Sequence, residues 1–196
     1  MRSSEKKIIF IQIITLSRIA AAGGFATTCL TDDFKWLAGI LFVYCIISDV
    51  LDGFLARTWN AKSQLGGELD GYADKTFVIA CILFALIQEA PIMACWVIIC
   101  REIFVCCIRQ IRLKGRSLAT PNRKFGIFKN ALIWTLTGYL MFKTDFFEIS
   151  GQTIHILYSA LAAVSFINML LIIKKDWNDI KQVLLSDPFN EETHFK

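Results

Sequence analysis

With 196 residues, 55% of them hydrophobic and only 19% charged, and a mean hydropathy of +0.52, the chain has the length of one domain and too few polar side chains to coat a soluble globule. Its formal net charge is only +4, and it holds no low-complexity linker, no internal repeat and no sign of a second domain. Composition therefore excludes a soluble globular enzyme and points to one integral membrane domain over residues 1–196.

Six apolar stretches follow in chain order, over residues 8–30, 36–55, 66–86, 91–111, 125–142 and 154–173. Each is close to the ~20 residues that carry a helix across the hydrocarbon layer. The expected fold is thus all-α, a bundle of six transmembrane helices. Arg18 interrupts the first stretch and five more follow, so that stretch is read as a retained span and not as a cleaved secretion signal. Pro91 opens the fourth stretch, Pro121 lies in the loop after it and Pro188 in the tail, so no helix interior is broken. Trp36 and Trp59, near helix ends, suit the membrane interface.

Charge is distributed unevenly among the connections. Arg2, Lys6 and Lys7 precede the first span, and Arg57 and Lys62 follow the second. Arg109, Arg112, Lys114, Arg116, Arg123, Lys124 and Lys129 cluster around the fourth connection, with no acid between Glu102 and Asp145. The alternate connections hold Asp32, Asp33 and Lys35, then Glu89, then Lys143, Asp145 and Glu148. By the positive-inside rule both termini, including a tail over residues 174–196, and the two basic loops face the cytoplasm. The positive charge then reports topology, with contact to anionic lipid heads as a second use, and calls for no nucleic-acid partner.

Against this background four acids stand in a fixed frame. Asp49, Asp52, Gly53, Ala56 and Arg57 are followed by eight residues and then by Gly66, Asp70 and Asp74. On the second helix Asp49, Asp52, Gly53 and Ala56 fall at i, i+3, i+4 and i+7; on the third Gly66, Asp70 and Asp74 fall at i, i+4 and i+8. Each set is one stripe, and a short turn over residues 58–64 faces the stripes across a cleft at the cytoplasmic side. Four crowded carboxylates repel one another unless cations neutralise them, and hard oxygen ligands select Mg²⁺, Mn²⁺ or Ca²⁺. Gly53, Ala56 and Gly66 leave room for a ligand to approach the helix backbone, and Arg57 offers a planar cation for phosphate. Intramembrane acids also mark ion pathways, so a divalent-cation transporter is the alternative outside enzymology. Against transport, the acids lie near one membrane face and the frame includes Gly, Ala and Arg at fixed spacing.

The pattern D-x2-D-G-x2-A-R-x8-G-x3-D-x3-D is complete here and resembles the signature of the CDP-alcohol phosphotransferase family. Thr15, Leu16 and Arg18 resemble that family's first-helix motif, Ala73, Asp74 and Lys75 its A-D-K ending, and Arg101, Glu102 and Arg109 its R-E-x7-R pattern. The likeness reaches to about Lys129 and is greatest to the branch that makes phosphatidylglycerophosphate. It implies Mg²⁺ or Mn²⁺ on Asp49, Asp52, Asp70 and Asp74, with Asp74 also the family's proposed general base and a purely ligand role for it as the alternative. It implies a CDP-diacylglycerol site with Thr15, Gly53, Ala56, Arg57 and Gly66, and attack by an acceptor alcohol with release of CMP. Arg109 is the expected grip on an acceptor phosphate, helped by Arg101, Lys75 and Lys129; glycerol 3-phosphate is the expected acceptor, with inositol phosphate, serine or phosphatidylglycerol as alternatives. The chain departs from that branch with Ile11 and Gln12 where Pro-Asn is usual, with Gly71 in a stretch that is often Asp-Pro, and with Gly126, Ile127, Phe128, Lys129 and Asn130 in place of G-K-x-K-T.

The remaining conspicuous residues point to packing. The seven cysteines lie in apolar stretches without metal-ligand spacing and read as small hydrophobes. His155 and His194 are remote from the acids. For Glu102 a buried ion pair bracing the bundle and a substrate role are equally compatible with the sequence. Gly67 and Gly71, and Ser159, Ala160, Ala163 and Ser165, permit close helix packing within one bundle or between two copies, and the family resemblance adds the expectation of a homodimer.

Overall fold

The computed structural model describes residues 3–31, 35–61, 63–110, 112–113, 116–117, 123–142 and 150–185. Among these residues there are six helices: α1 (Ser3–Thr28), α2 (Lys35–Thr58), α3 (Gln64–Ile87), α4 (Ile92–Gln110), α5 (Arg123–Phe142) and α6 (Gly151–Leu185). The expected six-helix, all-helical architecture is present. One small addition is a ribbon in the basic connection, where β1 (Arg112–Leu113) pairs antiparallel with β2 (Arg116–Ser117), Arg112 opposite Ser117.

Among the described residues, three helices contain segments long and apolar enough to cross a membrane: Glu5–Thr28, Lys35–Thr58 and Gly151–Lys175. The other three are shorter or more highly charged. α3 carries Glu68, Asp70, Asp74 and Lys75, α4 Arg101, Glu102 and Arg109, and α5 Arg123, Lys124 and Lys129. Apolar side chains such as Ile13 and Leu16 on α1, Ile47 and Phe54 on α2, and Val164 and Leu171 on α6 are exposed, as lipid-facing positions require.

α6 differs from the sequence expectation. The apolar stretch ends near Lys174, yet the helix runs on to Leu185, because neither Gly nor Pro occurs in that segment before Pro188. At 1.5 Å per residue its 35 residues span about 52 Å, well beyond the hydrocarbon thickness.

α1 packs against both α2 and α3, α3 against α4 and α5, and α4 against α6. An aromatic cluster lies at the centre: the rings of Phe25 and Phe42 are 5.8 Å apart, Phe42 and Phe77 5.7 Å, and Phe77 and Trp134 5.7 Å. Cys45, Cys81 and Cys95 are buried in the same core as small apolar groups, and all seven cysteines are free. Trp59 packs against Phe10 and under the Lys7 ammonium, tying the end of α2 to the start of α1.

The turn from α2 to α3 fixes how the two acid stripes face each other. Asn60 adopts φ 49°, a left-handed conformation that Asn tolerates better than most residues. Ser63 then caps α3, its Oγ accepting from the Gly66 N–H at 3.0 Å. A Cβ on Gly66 would stand 2.8 Å from that Oγ, so a larger residue there would have to shift the Ser63 side chain and would fill the cleft beside it.

Candidate metal and substrate site

Three helices build the first site. α1 contributes Thr15 and Arg18, one turn apart; α2 contributes Asp49 and Asp52, and α3 Asp70 and Asp74. A carboxylate oxygen from each of Asp49, Asp70 and Asp74 lies within 4.8 Å of the other two. Oxygen ligands sit about 2.0–2.6 Å from Mg²⁺ or Ca²⁺, so oxygens around one ion are separated by distances of this size, and the donor set fits a hard divalent cation. Asp52 is held differently. Its side chain is 5% exposed, and its Oδ2 accepts from the Thr15 hydroxyl at 3.1 Å.

Arg18, 1% exposed, places its guanidinium among all four acids. Nη1 contacts Asp49 and lies 3.6 Å from Asp74, while Nη2 lies 2.6 Å from Asp70 and 3.1 Å from Asp52. In the sequence Arg18 stands out as an interruption of the first apolar stretch and as part of the first-helix motif, and it is not among the expected site residues. The available signal was its position as the one cation inside an otherwise apolar span.

Beside the acids opens a cleft of about 220 Å³ lined by Thr15, Asp52, Gly53, Ala56, Gly66 and Asp70. Four of the five residues expected around a CDP-lipid therefore share one wall. Arg57 stands apart: it is exposed, and its Nε donates to the Gly53 carbonyl of its own helix at 2.9 Å. Gln12 and Ser63 also line the cleft, with Gln12 Nε2 3.5 Å from Ser63 Oγ. Neither was singled out from sequence as a site residue; Gln12 was noted only as a departure from the family pattern.

A second charged cluster joins α3, α4, α5 and α6. Glu102, fully buried, receives Lys75 on one oxygen, and on the other both Arg101 and Lys129 at 2.7 Å. Arg101 Nη2 donates to Asn168 Oδ1 on α6 at 2.9 Å. Three of the four expected acceptor-binding residues thus converge on one carboxylate, and Asn168, which nothing in the sequence marked, completes the link. Glu102 is thus the centre of a buried ion-pair network. Arg109 lies on the last turn of α4, and its side chain is outside the described residues.

Over 105 residues, covering 50% of this chain and 48% of the relative, the sequence is 32% identical to the CDP-diacylglycerol--glycerol-3-phosphate 3-phosphatidyltransferase of Cereibacter sphaeroides. It is 29% identical to the protein of that name from Yersinia enterocolitica over 159 residues, 75% of this chain and 84% of the relative. It is 34% identical over 115 residues, 56% of this chain and 36% of the relative, to the cardiolipin synthase (CMP-forming) of Rattus norvegicus. The chain spans about half the length of most of the curated relatives it matches. The CDP-alcohol phosphatidyltransferase family model matches residues 10–173, a range that includes both charged clusters and all of the cleft lining except Ile8. The chain belongs to the CDP-alcohol phosphatidyltransferase family.

Proposed function

We propose that this chain transfers a phosphatidyl group from CDP-diacylglycerol to sn-glycerol 3-phosphate, giving phosphatidylglycerophosphate and CMP in phospholipid synthesis. The observation that carries the reading is the convergence of Asp49, Asp70 and Asp74 to metal-ligand spacing at the edge of a cleft walled by Gly53, Ala56 and Gly66. Mg²⁺ or Mn²⁺ held by these carboxylates, with Asp52 beside them, would supply charge neutralisation for the diphosphate and for the departing CMP.

The side chains divide the remaining work. Thr15, Gly53, Ala56 and Gly66 shape the wall on which the CDP-lipid lies, and Arg57 swings from its own helix backbone onto phosphate. Asp74 takes the proton from the acceptor hydroxyl as its oxygen bonds to phosphorus and the bond from phosphorus to CMP breaks. Arg109 grips the acceptor phosphate, with Arg101, Lys75 and Lys129 adding positive charge.

Purified protein given CDP-diacylglycerol, Mn²⁺ and one acceptor at a time should release CMP with glycerol 3-phosphate. Arg109→Ala should raise the apparent KM for glycerol 3-phosphate far more than that for CDP-diacylglycerol. Similarity to a cardiolipin synthase favours phosphatidylglycerol as the second acceptor to try. CMP release with phosphatidylglycerol, serine or inositol phosphate but not glycerol 3-phosphate would reassign the acceptor, and Mn²⁺ flux without CMP release would favour transport.

All six helices are taken to cross the bilayer as one domain, with both termini and the site on the cytoplasmic side and residues 174–196 as a cytoplasmic tail. In a cysteine-free background, Ser117→Cys should react with an impermeant thiol reagent only from the cytoplasmic face and Gln152→Cys only from the opposite face. The reverse pattern would invert the topology and leave the chemistry standing. Gly67 and the Ala160 and Ala163 pair present small, exposed surfaces that suit contact with a second copy.

A further inference from the structure

We propose that Arg18 is a tethered cation that holds the aspartate cage together before metal arrives, and that a divalent ion enters by taking carboxylates away from it. The inference rests on the metal reading of this site. Four carboxylates from two helices would drive α2 and α3 apart if nothing neutralised them. Arg18 comes from a third helix, is 1% exposed, and uses both terminal nitrogens to bridge the stripes: Nη1 between Asp49 and Asp74, Nη2 between Asp52 and Asp70. Its Nε is buried and finds no hydrogen-bond partner among the described residues, so the guanidinium's bonds are directed into the cage.

An ion bound to Asp49, Asp70 and Asp74 would contact the carboxylates that Nη1 and Nη2 now contact. Two cations cannot hold the same three carboxylates at contact distance without strong repulsion, so metal binding must loosen at least part of the Arg18 fork. Arg18 therefore acts as a positioning residue with a defined signature. It stabilises the metal-free protein and opposes the metal.

The test measures Mn²⁺ affinity of the metal-stripped full chain in detergent by calorimetry, together with thermal unfolding with and without Mn²⁺. Arg18→Gln should bind Mn²⁺ at least about tenfold more tightly than the parent, as close charge pairs of this kind imply. Its metal-free form should melt lower than the parent, and Mn²⁺ should raise its Tm by more. Arg18→Lys, which keeps the charge but loses the fork, should fall between the two.

If Arg18→Gln is recovered only with Mn²⁺ present, removal of the ion by EDTA should unfold it while the parent survives. Equal or weaker Mn²⁺ binding by Arg18→Gln, or a loss of stability that is the same with and without Mn²⁺, would overturn the inference and leave the metal site intact. Failure of both parent and variant to bind Mn²⁺ would remove the metal reading itself.

Discussion

Replacing Asp70 by Asn is expected to reduce turnover by more than the ~10–100-fold that loss of an outer contact to a metal ligand costs, because a charge leaves the proposed metal site itself. Asp49→Asn should behave in the same way. The substitution keeps the side-chain shape, so the protein should insert and fold. The metal-free form should be no less stable than the parent, since four carboxylates face a single guanidinium and removing one lowers their mutual repulsion. The Tm rise caused by Mn²⁺ should shrink in parallel with activity. Asp74→Asn should also lose turnover, and whether it keeps Mn²⁺ binding separates a base from a ligand. An Asp70→Asn protein with near-parental CMP release would end the metal assignment.

The second large effect is on stability and concerns Glu102. This carboxylate is fully buried and is the shared partner of Arg101, Lys75 and Lys129, two of them almost wholly enclosed. Glu102→Gln leaves those cations facing one another without their anion, and breaking a buried pair in this way costs on the order of 3–5 kcal/mol. The expected result is a marked fall in Tm in detergent at neutral pH. Adding Lys129→Met should recover a good part of it, because the double variant no longer buries that unpaired ammonium. A Glu102→Gln protein with parental Tm and lost turnover would mean that Glu102 serves substrate and not the bundle.

The single variants of Glu102 and Asp70 should therefore separate along different axes. One loses the fold and the other loses the chemistry, although both remove one negative charge from a helix of the same bundle. The difference follows from the charge balance around each: Glu102 is outnumbered by cations, whereas Asp70 is one of four acids around Arg18.

Apolar runs and charged connections were enough for six helices, because helix length and the cost of charge in hydrocarbon act locally along the chain. The spacing of Asp49, Asp52, Asp70 and Asp74 determined two acid stripes, because helical periodicity alone puts i, i+3 and i+4 on one face. The length of α6 beyond Lys174 was underestimated, since hydropathy marks where a membrane ends and not where a helix stops.

Only the tertiary structure decided which charge answers which. Arg18 is 31 residues from Asp49 and 52 from Asp70, and Asn168 is 67 from Arg101, separations over which no sequence periodicity operates. It also separated the cations by place, turning Arg57 back onto its own helix while Lys75, Arg101 and Lys129 converge on Glu102. A sequence specifies that a charge inside an apolar bundle must find a partner, because leaving it unpaired costs too much; which partner it finds depends on how the helices pack.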